Sequence, residues 1–305
     1  MGTRGSAGEE AIGAAAELAT VVISLGNEPG LVDSVRSLLD QGPGAELMVV
    51  NSGGGGAGAA LAAAGVEVEV IERPEPLSPG AARNLGIRAT RAPFVAFLAA
   101  DCLAEPGWIS GRLRRHRAGA DAVASAVTNA TPASASAAIG HLLMYHRRMP
   151  STPAAMQRHY GVSYSRPLLE GLGLFREDLR QGEDTELNGR LGRGVSVEWA
   201  PEVRTAHRSP AGTRQLLRDQ YARGRRSLLY RHLPIRTMLR IALVKRPLDA
   251  FRQAVRTPEP GGRRRLLGAS PLLAPASVAY ALGLVRGRLD PSRRGAVPAL
   301  SGAER

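Results

Sequence analysis

The sequence predicts an α/β protein in which helices flank a mostly parallel central sheet, with a basic helical extension behind it. Residues 20–130 alternate short β-branched or apolar runs with apolar stripes at helical spacing. Within them, Phe94–Leu98 is continuously apolar, as a strand buried on both faces must be. That run is followed by a lone carboxylate, Asp101, at the edge where open α/β sheets bind ligands. Asp101 is therefore a candidate for holding a cation or a polar substrate, and N-capping of a helix over Glu105–Ala118 is the other reading.

In chain order, residues 1–19 read as a loose tail; Arg4, Glu9 and Glu10 leave no long apolar core, so no signal peptide is expected. Thr20–Leu25 is the first strand, Leu31, Val32, Val35, Leu38 and Leu39 mark a helix, and Glu46–Val50 is the second strand. Together they form a right-handed βαβ unit of about 30 residues. Asn51 closes the second strand much as Asp101 closes the later one. The loop Ser52–Gly58 holds four consecutive glycines, which suit either a backbone that approaches a phosphate or a plain turn; neither G-x-G-x-x-G nor the P-loop pattern is present.

Val66, Val68 and Val70 alternate with Glu67 and Glu69, the pattern of a half-wet strand near a sheet edge. From Ala81, the small-residue stripe Leu85, Ala89 and Ala92 marks a helix leading into Phe94–Leu98. A helix over Glu105–Ala118, a strand over Asp121–Val127 and a helix over Ile139–Arg148 follow. Ser151–Tyr164, with His159, Tyr160 and Tyr164, lies where an acceptor-side region would fall. Glu183 and Asp184 open a helix that places Leu187 and Leu191 on one face, and either a site or the helix dipole accounts for the acidic pair. A short strand, Val195–Trp199, and an isolated His207 complete this part.

A single cysteine, Cys102, excludes an intrachain disulfide and a cysteine-based zinc cluster, and fits a reducing, cytoplasmic compartment. The net charge of +13 is unevenly spread: residues 1–202 carry 18 basic and 22 acidic side chains, residues 203–305 carry 22 and 5. Basicity confined to the C-terminal third suits anionic lipid headgroups or a phosphorylated substrate, and no nucleic-acid partner is expected. Residues 266–285 lack charge and are long enough to span a bilayer, but Pro271 and Pro275 and arginines on both flanks favour an interfacial or re-entrant segment. A peripheral position on the inner face of the cell membrane is the matching expectation.

Asn27 with Pro29, the strand ending at Asn51, GAARNLG at Gly80–Gly86, FLAAD at Phe97–Asp101, GEDTEL at Gly182–Leu187, and His207 follow one another along the chain. In this order they resemble the family 2 glycosyltransferases of the GT-A fold, over roughly residues 20–230. The resemblance implies a nucleotide-sugar half over 20–127 and an acceptor half over 128–230, followed by the basic extension over 231–305. It implies a divalent metal, Mn or Mg, held by Asp101 and His207, with Ala99 where the first carboxylate of the family's Asp-x-Asp would stand. It also implies Asp184 as catalytic base, and nucleotide-sugar contacts from Ser24, Asn27, Asn51, Arg83, Asn84 and Ala100.

Asn51 stands where an aspartate is usual, and Gly26 where a tyrosine is common. Gln220 and Arg223, followed by Gly224, echo only part of the Gln-x-x-Arg-Trp signature of processive members. The expected activity is therefore inverting, non-processive transfer from a nucleotide-diphosphate sugar to a lipid-linked or glycan hydroxyl. Arg223 and Arg225 are candidates for a cationic lid over the diphosphate, or for a solvated helix face. At a helix N-terminus the Asp184 carboxylate would be favoured in its ionised form. The missing carboxylate at Ala99 leaves a second reading, a catalytically impaired sugar-nucleotide-binding protein, and the basic tail a third, an anion-binding interaction protein.

Overall fold

The computed structural model describes residues 16–42, 44–154, 161–227, 233–256 and 262–289. Strands β1 (Leu18–Leu25), β2 (Ala45–Ser52), β3 (Glu69–Arg73) and β4 (Phe94–Ala99) pair in parallel in the order β3-β2-β1-β4. Helices α1 (Leu31–Leu39), α2 (Ala57–Ala63) and α3 (Pro79–Ala89) connect them. Strands β5 (Cys102–Ala104), β6 (Ala122–Asn129), β7 (Ser163–Ser165) and β8 (Val197–His207) extend the sheet to β3-β2-β1-β4-β7-β6-β8-β5. β7 runs antiparallel to β4 and β6, and β5 antiparallel to β8, while β6 and β8 are parallel. The predicted mixed α/β fold is thus present. The sheet curls, so that β5 lies against both β4 and α1.

Both sheet faces are covered. Leu31, Val35, Trp108 and Val203 pack on one, and Ile87, Tyr164, Leu169 and Phe175 on the other. Several elements depart from the sequence reading for identifiable reasons. β3 begins at Glu69, because the Val66 N–H closes a turn on the Leu61 carbonyl and its side chain drops into the core. α3 buries Gly80, Ala82, Asn84, Gly86 and Ile87 rather than the Leu85 and Ala89 stripe. The expected short strand over Val195–Trp199 is the start of an 11-residue β8. Pro201 sits in a register shift opposite Ser125 and Ala126, a bulge that tolerates a residue without an N–H. α4 (Trp108–Arg117) takes Gly107 as its N-cap, at φ 83, so Asp101 does not cap it.

The remaining described helices are α5 (Ala135–Tyr145), α6 (Arg166–Gly171), α7 (Glu183–Gly189), α8 (Thr213–Arg226), α9 (Ile235–Arg240), α10 (Arg246–Arg256), α11 (Gly262–Ala269) and α12 (Leu273–Arg288). A π turn, Ile241–Lys245, joins α9 to α10. Ile139 and Leu142 of α5 and Leu216 of α8 share one cluster with Ala250, Ala254, Leu266 and Ala276, so residues beyond 230 complete a core begun before them.

The uncharged run 266–285 falls in α11, a 3-10 turn over Ser270–Leu272 and α12, and the stretch Gly262–Arg288 is long and apolar enough to cross a membrane by length and composition only. Here it packs on α8 at backbone distance. A Cβ on Gly283 would lie 2.1 Å from the Tyr221 carbonyl oxygen, and one on Gly224 2.1 Å from that of Tyr280. Neither neighbour is a flexible side chain, so the helices must separate to admit a methyl group. Gly283→Ala is expected to cost about 1–3 kcal/mol. By contrast Gly268→Ala on α11, with no atom within 4 Å of the added carbon, should be neutral or stabilising. Urea denaturation of the two variants beside the parent checks both.

Candidate active site

The carboxyl ends of β1 and β4 open into a cavity of about 1310 Å³, closed by α3, α5, the start of α7, and α8, α10 and α12. Ligand pockets commonly run to roughly 300–1,000 Å³, so this volume has room for more than one small ligand.

At one end, Asp101 sits in the turn between β4 and β5. β5 pairs with β8 so that Cys102 lies opposite His207. The length of β8 therefore brings the isolated histidine to the earlier aspartate. His207 Nε2 is 3.2 Å from Asp101 Oδ2, and the Cys102 thiol donates to Asp101 Oδ1 at 3.3 Å. Burial alone would raise the Asp101 carboxyl; the hydrogen bond and charge of His207, Cys102 and Arg223 outweigh it and hold it below the usual range. Burial, then Asp101, push the Cys102 thiol well up, and burial and the Asp101 charge raise the nearby Glu28. The Tyr145 ring stands edge-on to His207 at 5.0 Å. One atom each from Asp101, Cys102 and His207 lie within 4.8 Å of one another, and a carboxylate with an imidazole fits a divalent cation.

Across the cavity, Glu183 and Asp184 begin α7 behind Gly182, whose φ is 84. Glu183 forms a buried ion pair with Arg83 of α3. The Arg83 guanidinium also lies over the rings of Phe97 and Phe175, at 5.6 and 5.2 Å. Asp184 Oδ1 accepts from the Thr185 N–H at 2.7 Å. Burial and the Glu183 charge raise the Asp184 carboxyl above its ordinary range, against the opposing pull of Arg148, Arg83 and Thr185. This differs from the dipole-based expectation, since a seven-residue helix beside a second carboxylate does not offset burial. Arg148, Arg180, Arg223, Lys245 and Arg246 supply cationic walls. Arg246 reaches its place over the Tyr280 ring at 4.1 Å, donating to Gln220 Oε1 at 2.9 Å.

Of the residues named from sequence, Arg83, Asp101, Asp184 and Arg223 line the cavity, with His207 directly behind Asp101. Others are placed elsewhere. Asn51 is fully buried: its carbonyl accepts from Asn27 N–H, and its amide donates to Gly54 O and Glu72 Oε2. Asn84 is likewise spent on Phe175 and Glu177. Ser24 is buried and accepts from the Glu28 N–H, and Ala100 is buried with its carbonyl against Gly30. Arg225 is exposed on α8, outside the cavity lining. The four glycines form a turn, as Gly53 and Gly54 both donate to the Arg73 carbonyl and none lines the cavity. His159 and Tyr160 lie outside the described residues. Sequence reasoning did not pick out Glu28, Tyr145, Arg148, Lys245 and Arg246; Glu28 alone adjoins a named motif, Asn27 with Pro29, and no local signal marks the other four.

Residues 20–161 match the family model described as glycosyl transferase family 2. Two curated relatives, each a "Pre-mycofactocin glycosyltransferase" of Mycobacterium tuberculosis (strains CDC 1551 / Oshkosh and ATCC 25618 / H37Rv), are 28% identical over 221 residues. The alignment takes in 67% of this chain and 44% of theirs, so the chain spans under half the length of these relatives. Among solved structures, the mannosyltransferase PcManGT from Pyrobaculum calidifontis, in complex with GDP-Man and Mn2+, matches with a TM-score of 0.59 at 15% identity. That match covers 90% of this chain and 88% of PcManGT. The fold is that of the GT-A glycosyltransferases. Residues 20–161 thus resemble family 2 glycosyltransferases in sequence.

The Arg83–Glu183 pair couples the two elements that carry the motifs, with the side chains only 20% and 7% exposed. Removing one partner strands the other charge, so Arg83→Met is expected to destabilise by about 3–5 kcal/mol. The double variant Arg83→Met/Glu183→Leu should recover most of that loss, as read from denaturant midpoints.

Proposed function

We propose that the chain transfers a sugar from a nucleotide-diphosphate donor to the hydroxyl of a lipid-linked or glycan acceptor, with inversion and without processivity. The observation that carries this is one cavity with an ionised, imidazole-backed carboxylate at one end and a buried, proton-avid carboxylate at the other. Asp101 and His207 would hold a Mn or Mg ion, which when bound offsets charge on the departing diphosphate. Arg223, held by Asp219 at 2.7 Å, adds a fixed cation on the same wall. Glu183 is committed to Arg83, so Asp184 is the carboxylate that takes the acceptor proton. Its raised pKa suits a general base better than that of an ordinary aspartate. Non-processive action is supported at Gly224: the space that a tryptophan would need there is filled by α12.

Asp184→Asn should keep nucleotide-sugar binding and lower turnover by about 10²- to 10⁴-fold. In the parent, kcat/KM should fall as pH drops through the Asp184 pKa, with a midpoint above the ~3.9 of a free aspartate. Steady-state rates with a panel of nucleotide sugars, Mn2+ present, check both. A parent that binds donor but neither transfers nor hydrolyses it would favour the second reading, the impaired binding protein that Ala99 suggests.

We also assign the C-terminal helices a contact with anionic lipid. Val244, Leu248 and Phe251 are exposed at the spacing of one helix face, next to Lys245, Arg252 and Arg256. Basic residues near such a surface contribute about 1 kcal/mol each. The full chain should float with vesicles containing phosphatidylglycerol and stay behind with phosphatidylcholine alone. Leu248→Glu/Phe251→Glu should abolish flotation without lowering thermal stability.

A further inference from the structure

We infer that Cys102 is a third protein ligand of the cation at Asp101 and His207, and that its sulfur turns the site away from Mg2+ toward thiophilic ions. This rests on the metal-assisted reading above and concerns what that reading leaves open, the identity of the ion and the full set of donors.

The argument begins with the sheet. Cys102 and His207 are opposite partners on antiparallel β5 and β8, so their side chains project from the same face. Asp101, immediately before β5, sets one carboxylate oxygen against each of them, at 3.3 Å from the sulfur and 3.2 Å from Nε2. Ligands of a single small ion stand about 2.0–2.3 Å from it and hence roughly 3–4.5 Å from each other. The three donor atoms, within 4.8 Å of one another, are spaced on that scale. The other nitrogen of His207, Nδ1, is 3.2 Å from Ser209 Oγ, the kind of outer hydrogen bond that orients a metal-binding imidazole.

Burial points the same way. Cys102 and His207 are enclosed, at 9% and 4% exposure, while the Asp101 side chain is 49% exposed and lines the cavity. The donors therefore close one side and leave the other open to a diphosphate. Ala99, also on the lining, contributes no donor where the family has a carboxylate. Cys102 makes up the number from the opposite side of Asp101, but with sulfur in place of oxygen. Mg2+ selects oxygen ligands and dehydrates reluctantly, whereas thiolate favours ions such as Zn2+ and Co2+. On binding, the S–H bond breaks and a sulfur–metal bond forms, the thiol proton leaving to solvent; the Nε2 hydrogen that faces Asp101 is lost to solvent while Nδ1 carries the ring hydrogen toward Ser209 Oγ, and the Asp101 oxygens exchange both hydrogen bonds for the cation.

The test uses the full chain with Co2+ and GDP as a probe diphosphate, read by absorption. Because the sequence holds a single cysteine, a sulfur-to-cobalt charge-transfer band in the near ultraviolet reports Cys102 alone. The expected result is that band together with visible cobalt bands in the parent. Cys102→Ser should lose the charge-transfer band, keep the visible ones and bind Co2+ about 10- to 100-fold more weakly. Mn2+ should displace Co2+ from the parent at lower concentration than Mg2+, and this preference should shrink in Cys102→Ser. Cys102→Ala, checked for its melting temperature, repeats the comparison with no oxygen at that position. Visible bands without the charge-transfer band in the parent would overturn the inference and leave the metal-assisted reading standing. No cobalt bands at all, with GDP present, would overturn both.

Discussion

The pairing of β5 with β8 is the constraint on which the site depends. A three-residue strand has little stability of its own, yet it fixes the position of the Asp101 turn because β8 supplies its hydrogen bonds along residues 205–207. β8 in turn is anchored along β6 through a bulge and ends on the residue that faces Cys102. Without this register, the carboxylate after β4 and the histidine more than a hundred positions later would have no reason to meet. The tight turn between β4 and β5 then leaves one carboxylate to satisfy both neighbours, which is why its environment is so strongly polarised.

The opposite wall is organised by a different force. Arg83 is held between two aromatic rings and Glu183, joining α3 to the start of α7 through charge and ring contacts. That arrangement fixes one acid of the Glu-Asp pair and raises the other by proximity. The two ends of the cavity thus carry carboxylates displaced in opposite directions, one kept ionised by its partners and one made reluctant to ionise. Environments that separate acids in this way assign different duties to chemically similar side chains.

The fold was readable where burial writes a pattern along the chain. Phe94–Leu98 is continuous because both its faces are covered, and the observed β4 extends it by one residue. The first βαβ unit was equally plain, although β1 begins two residues earlier than Thr20. Readability failed where a local signal competed with a distant partner. Pro201 looks like a strand end unless the bulge opposite Ser125 is known. The alternation of Val66, Val68 and Val70 resembles a strand, but its first residue closes a helix. The site was legible as residue types and order, through Asp101, Asp184 and His207, and much less as environment. Nothing near Asn51 shows that Glu72 will claim its amide, and nothing near Glu183 shows that Arg83 will reach it. Those are long-range bonds, and they decide which polar side chains remain for a ligand.

The crossing of α8 and α12 has a consequence for how this chain can vary in length. Its glycines sit at fixed angular positions, and one inserted or deleted residue turns everything beyond it by about 100°. A single insertion within α12 would rotate side chains into backbone where only hydrogen atoms fit. Length variation among natural sequences of this kind should therefore spare α12, which is kept to a constant phase relative to Gly224.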